Sequence, residues 1–211
     1  MAEPGNKIIT ADYSQIELRI LAEFSQDPVF LDAFRSGQDL HKRTASQIFN
    51  IPFDAVSKDQ RNIAKTINFG LAYGMSASSL SESVRIPKTE AEKFIVSYFR
   101  AYSTIKKCLD RLGMAAVRNG YSQTPLGRKR YYKPAHSFGE RESRERQGRN
   151  TPIQATCADI LKTAILLLCP LLSEYEGKMI NLVHDEIVFE VKAENAEALK
   201  AVIEAKMVEK S

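Results

Sequence analysis

Apolar residues recur along this chain with two different spacings, and the changes of spacing mark its elements. Lys7 to Ala11 (KIITA) is a short β-branched run, the pattern of a buried strand. It leads into Asp12 and then into a helical face of Ile16, Ile20, Leu21 and Phe24. Pro28 opens a further short helix, and Asp39 is placed to cap a helix over 40–49. Residues 58–73 predict a long helix stopped by Gly74, and 89–119 a second helical region stopped by Gly120. Tyr121 to Tyr132, around Pro125-Leu126-Gly127, reads as a hairpin. Residues 144–175 are helical again. Lys178 to Val183 and Glu186 to Val191 are apolar, β-branched runs on either side of His184-Asp185, a tight hairpin. Residues 194–210 close the chain as an amphipathic helix with Leu199, Val202, Ile203 and Met207 inward.

Strand, many helices, then hairpin and helix is an α+β order with a small antiparallel sheet. The helices form a large insertion between strand segments that can share one sheet. The expected division is 1–25 with the first strand, 26–135 as the mostly helical insertion, and 136–211 returning to the sheet with the hairpin 178–191.

Composition adds little until its distribution is considered. The 211 residues are 44% hydrophobic, enough to bury a core. No uninterrupted apolar run approaches the ~20 residues of a membrane span, and the polar start MAEPGNK lacks the apolar centre of a signal peptide. Cys108, Cys157 and Cys169 show no metal-type spacing and read as reduced thiols. These features together predict a cytoplasmic protein with no membrane partner. The net charge is +4, and residues 128–149 concentrate it, with eight Lys/Arg against three Glu. Such a local excess suits a phosphate backbone, although a solvated loop shows the same pattern.

Three constellations carry chemistry. Asp12 ends an apolar strand and Asp185 tips an apolar hairpin. Two carboxylates brought together repel unless a cation lies between them, and magnesium favours a few carboxylates plus substrate phosphates. Taken singly, a helix cap and a turn former explain them as well. The third constellation is Arg61, Lys65, Phe69 and Tyr73, repeating every fourth residue. On a helix this is one stripe, ~18 Å long at 1.5 Å rise per residue. Two cations lead and two aromatics follow, matching the phosphates and the stackable base of a nucleoside triphosphate. An amphipathic surface helix with snorkelling cations is the plainer alternative.

These residues resemble the motifs of the family A DNA polymerases, the bacterial DNA polymerase I group. Asp12-Tyr13-Ser14-Gln15-Ile16-Glu17-Leu18-Arg19 resembles motif A, the Arg61 to Gly74 segment motif B, and His184-Asp185-Glu186 motif C, in the family's order. Asp39-Leu40-His41 and the run from Arg146 through Asn150 to Gln154 match further signatures. The resemblance implies a palm (1–25 and 136–211), a fingers insertion (26–135), and template-directed DNA synthesis. It implies two Mg²⁺ ions on Asp12, Asp185 and the Tyr13 carbonyl, with Glu186 in support. Gln15, Ile16, Glu17, His41, Arg61, Lys65, Phe69 and Tyr73 would bind the deoxynucleoside triphosphate, with Lys65 also a general acid and Glu17 the gate against ribonucleotides. Arg128, Arg146, Asn150, Gln154 and His184 would contact primer-template DNA.

The same resemblance leads us to expect a piece of a longer polymerase, without thumb or exonuclease and weak in turnover. Its truncated palm edge would invite self-association. Three rivals remain at this point: a catalytically weak nucleotide- or DNA-binding piece, a single-subunit RNA polymerase, and a metal-dependent nuclease. The RNA polymerases lack a carboxylate gate like Glu17, and a nuclease does not explain the Arg61–Tyr73 stripe.

Overall fold

The computed structural model describes residues 2–208. In chain order its elements are strand β1 (Asn6–Asp12), helices α1 (Ile16–Ser25), α2 (Pro28–Arg35), α3 (Leu40–Phe49), α4 (Lys58–Ala72), α5 (Ala77–Val84), α6 (Lys88–Ala101) and α7 (Ser103–Asn119). There follow strands β2 (Tyr121–Gln123) and β3 (Lys129–Tyr131), helix α8 (Phe138–Leu168), strands β4 (Gly177–Val183) and β5 (Glu186–Lys192), and helix α9 (Ala196–Val208). The fold is α+β, as the order of elements predicts. Backbone contacts divide it into two compact units, Met1–Ile16 with Ala155–Ser211, and Glu17–Gln154.

Most boundaries have a local cause. Asp27 accepts from the Val29 and Phe30 N–H groups and Pro28 occupies the first turn of α2. Asp39 accepts from the Lys42 N–H at the start of α3. Ser57 and Gln60 form a reciprocal capping box that fixes the start of α4. Four expectations needed revision. The first strand is not buried: no residue of β1 is, and Ile8 is 40% exposed. Residues 89–119 are two helices, broken at Tyr102, whose φ of −119° and ψ of 58° leave the helical region. Helix α5 was not expected, and α8 begins at Phe138, six residues before the expected start at Arg144. The predicted end of the last helix at Lys210 lies outside the described residues.

In the first unit the sheet order is β1-β5-β4, antiparallel throughout, so the N-terminal strand pairs with the C-terminal hairpin. Ile187, Phe189 and Val191 alternate along β5 onto one face and are fully buried. They pack with Ala164 and Leu168 of α8 and Leu199, Ile203 and Met207 of α9, with Ile9, Ala11 and Met179 at the margin. Each fully buried Val, Leu, Ile, Phe or Met among them contributes roughly 1.5–3 kcal/mol. The run 138–175 contains an 18-residue window of mean hydropathy 1.8, 22% of it buried. Length and composition alone would let it cross a membrane, a feature that counting uninterrupted apolar runs does not register.

The second unit has an aromatic core. Tyr102 meets Phe30 and Tyr98 edge-on, with ring centroids 5.0 and 4.8 Å apart. Helix α3 packs on α4 and α6. Where α7 approaches the first half of α8, a Cβ at Gly148 would overlap the Ala116 Cβ, so only glycine permits this approach.

Candidate functional site

The first unit brings the carboxylates to one end of its sheet. Asp12 closes β1 directly opposite Glu186, the first residue of β5. Asp185 lies in the turn between β4 and β5, where His184 adopts φ 58°. A non-glycine residue held there carries a backbone cost of ~1 kcal/mol. Desolvation, and then the charge of Asp185, hold the Asp12 carboxyl above its ordinary value. The two carboxylates therefore feel each other. Among the described residues no cluster of three or more His, Cys, Asp or Glu has metal-binding geometry. Two carboxylates and a carbonyl are still a fitting donor set for a hard cation that keeps water and phosphate oxygens as its other ligands.

Tyr13 is anchored through its hydroxyl, which donates to the Met207 carbonyl at 2.8 Å. Its own carbonyl accepts from the Ile16 N–H at 3.2 Å. Ile16 is 5% exposed, so its side chain belongs to the core. Gln15 has φ 55°, and its Oε1 is buried with no hydrogen-bond partner.

The second unit carries the stripe. Lys65 is exposed, while Arg61, Phe69 and Tyr73 are half-buried along α4. The Arg61 Nε donates to Asp39 Oδ2 at 2.5 Å, leaving its terminal nitrogens for other partners. Burial works against the Asp39 charge, yet the Arg61 bond, the Lys42 N–H and the nearby cations win, and its carboxyl lies below the ordinary value. His41 is 3% exposed, its ring centroid 5.7 Å from that of Phe69. Burial, with the charges of Arg61 and Lys65, pushes its pKa down to about 4, against the smaller upward pull of Asp39. Its ring is thus neutral near pH 7. Glu17 lies in the first turn of α1 and is half-buried.

Asn150 donates through Nδ2 to the Tyr73 carbonyl at 3.1 Å, and Arg146 Cγ lies 3.5 Å from where a Cβ at Gly74 would sit. These residues thus flank the C-terminal end of α4. Gln154 and Arg128 are exposed, the latter beside the turn that Thr124 closes. The basic segment borders an open cleft of about 580 Å³ lined by Tyr132, Lys133, His136 and Arg144. The sequence marked Asp39 as a helix cap and as part of the Asp39-Leu40-His41 run but not as the partner of Arg61, and Asn68, a buried polar residue between Ile67 and Phe69 that bonds to His41, was not among the candidate residues. A polar residue beside apolar positions on α4 was the available signal.

The chain is similar to known proteins in sequence and in fold. The model of DNA polymerase family A matches residues 1–211. The chain is 42% identical over 201 residues to the thermostable DNA polymerase I of Thermus aquaticus, covering 94% of this chain and 24% of that protein. It is 42% identical to the DNA polymerase I of Deinococcus radiodurans, covering 95% and 21% respectively. The chain thus spans about a quarter of the length of the curated relatives it matches. A solved POL domain of Pol1 from M. smegmatis, in complex with DNA primer-template and dNTP, superposes with a TM-score of 0.91 at 34% identity. That match covers 98% of this chain and 37% of the other.

Proposed function

Because the chain belongs to DNA polymerase family A, we propose that it carries out template-directed DNA synthesis, adding deoxynucleotides to a primer 3′-OH. The observation behind this proposal is the carboxylate pair, in which Asp12 is held above its ordinary pKa partly by Asp185. Like charges kept together at rigid strand ends are a cost that a bound cation removes.

Asp12, Asp185 and the Tyr13 carbonyl would hold two Mg²⁺ ions, with Glu186 in support. When bound, the ions would acidify the primer hydroxyl and neutralise charge on the triphosphate. Arg61 and Lys65 bind the phosphates as cations, and His41 donates a hydrogen bond as a neutral ring. Lys65 then gives a proton to the leaving pyrophosphate. Phe69 and Tyr73 pack on the incoming sugar and base, and Gln15 and Ile16 line the nucleotide through their backbone. Glu17 fills the space of a ribose 2′-OH. Arg128, Arg146, Gln154 and His184 contact primer-template DNA through acceptors common to all base pairs. Asn150 shares that contact and also holds the Tyr73 carbonyl. We assign 1–25 and 136–211 to a palm and 26–135 to fingers.

A second reading is a chain that binds nucleotide and DNA but turns over weakly. Primer extension with Mg²⁺ and deoxynucleotides separates the two. Extension abolished by Asp185→Asn supports polymerisation. Retained DNA binding without extension supports the second reading. Degradation of the primer without nucleotides, or equal use of ribonucleotides, sinks DNA synthesis.

A further inference from the structure

We infer that Asn68 is the positioning residue that fixes His41 as the Nε2–H tautomer, so that the ring nitrogen not bonded to Asn68 is a hydrogen-bond donor. This rests on the proposal that the second unit binds a nucleoside triphosphate, because a phosphate oxygen can only accept.

Asn68 is fully buried on α4, between the buried Ile67 and the half-buried Phe69. A buried amide left unpaired would cost ~1–3 kcal/mol, so its partners explain its presence. Its Oδ1 accepts from Thr44 Oγ1 at 3.1 Å, and its Nδ2 lies 3.0 Å from His41 Nδ1. Thr44 Oγ1 also lies 3.1 Å from the Tyr102 hydroxyl. Thr44 has one proton. If it goes to Asn68, the tyrosine must donate to Thr44. The bonds then run one way. Tyr102 donates to Thr44, Thr44 to Asn68, and Asn68 to His41 Nδ1. A nitrogen that accepts carries no proton, so the imidazole proton resides on Nε2.

The reversed network turns the amide over. Asn68 Nδ2 then donates to Thr44, Thr44 to Tyr102, and His41 Nδ1–H to Asn68. That arrangement leaves one buried hydroxyl proton with no acceptor among the hydrogen bonds of the described residues, that of Tyr102, or that of Thr44 if Tyr102 donates instead, both residues being 0% exposed. The unpaired proton disfavours it by the same ~1–3 kcal/mol. The reversed tautomer would also present a lone pair at Nε2, which repels a phosphate. Asn68 therefore touches no substrate itself and acts only through the ring of His41.

The test is a long-range ¹H–¹⁵N correlation spectrum of the whole chain labelled at its three histidines. His41→Gln identifies the His41 signals. We expect Nε2 to carry the proton and Nδ1 to be bare. A wild-type spectrum with the proton on Nδ1 overturns the inference without any variant at Asn68. In Asn68→Asp the carboxylate can only accept, so a proton should appear on His41 Nδ1. A folded Asn68→Asp chain that keeps Nδ1 bare also overturns it. Titration with Mg²⁺-dATP separates the underlying proposal. Failure of the wild-type chain to bind dATP, with the tautomer as expected, overturns the nucleotide reading alone.

Discussion

Gly148→Ala tests how the second unit holds the first half of α8. An added Cβ would overlap the Ala116 Cβ and lie 3.2 Å from both the Gly113 Cα and the Leu112 carbonyl oxygen. None of these atoms is the far end of a flexible side chain, so relief requires the helices to part. Carbon atoms rest ~3.5–4.0 Å apart, which sets the separation on the order of 1 Å. Two effects then compete. Alanine in place of a helical glycine ordinarily stabilises by ~0.5–1 kcal/mol. Overpacking a close contact costs ~1–3 kcal/mol. Overpacking should win, for a net loss of about 1–2 kcal/mol. Urea unfolding of the wild type, Gly148→Ala, Ala116→Gly and the double variant measures it. The double variant should recover at least ~1 kcal/mol relative to the sum of the single changes. Equal or greater stability of Gly148→Ala, or strict additivity, would refute the close approach as the cause.

Three further predictions follow from single groups. The Tyr98 hydroxyl is fully buried without a hydrogen-bond partner, so Tyr98→Phe should raise unfolding stability by about 1 kcal/mol; a loss in the same urea assay would show a missed partner. Asp12→Asn relieves repulsion with Asp185, so thermal unfolding should show no loss of stability while primer extension falls by more than the ~100-fold cost of losing a group that merely supports a metal ligand; retained extension would remove Asp12 from the chemistry. His41 has a folded pKa of about 4 against an ordinary 6.5. Between these values the unfolded chain binds a proton that the folded chain does not. Its contribution is intact above pH 6.5 and is lost as pH falls toward 4. By about pH 5 the loss is about 2 kcal/mol at ~1.36 kcal/mol per unit, and a His41→Gln chain should lose correspondingly less over that range; identical pH dependence in the two chains would contradict it.

Where the sequence was legible, a local cause decided the structure. Asp27, Asp39 and Ser57 cap helices because their side chains reach N–H groups two or three residues on. The strands around His184-Asp185 follow from their apolar runs and short turn. The failures divide by cause. Helix α5 (ASSLSESV) buries only Leu80, so it has no apolar stripe to detect, and Ser76 alone marks its start. The break at Tyr102 has no glycine or proline; burial of that ring against Phe30 and Tyr98 is a tertiary effect that no local pattern carries. The early start of α8 was detectable. Glu140 accepts from the His136 and Ser137 N–H groups while Ser137 Oγ accepts from Glu140, a capping box spelled by Ser137 and Glu140. Among the candidate site residues, the charged and aromatic stripe was visible because its chemistry repeats. The Arg61–Asp39 bond and the Asn68–His41 bond were not, because each joins helices through partners far apart in sequence.

The central place of β5 also sets the order in which this protein can assemble. Strand β1 waits for a partner made almost at the other end of the chain, and Tyr13 closes on a carbonyl 194 positions later. The second unit lies wholly within that interval and has its own core. It can therefore collapse first, while closing the sheet across a long flexible connection costs ~0.6 kcal/mol for each doubling of length. Until then β1 is an unpaired β-branched strand, the kind of edge that draws other chains during synthesis. Asp12 and Asp185 come together only when that sheet closes, so a chain whose sheet is still open lacks the carboxylate pair on which its proposed chemistry depends.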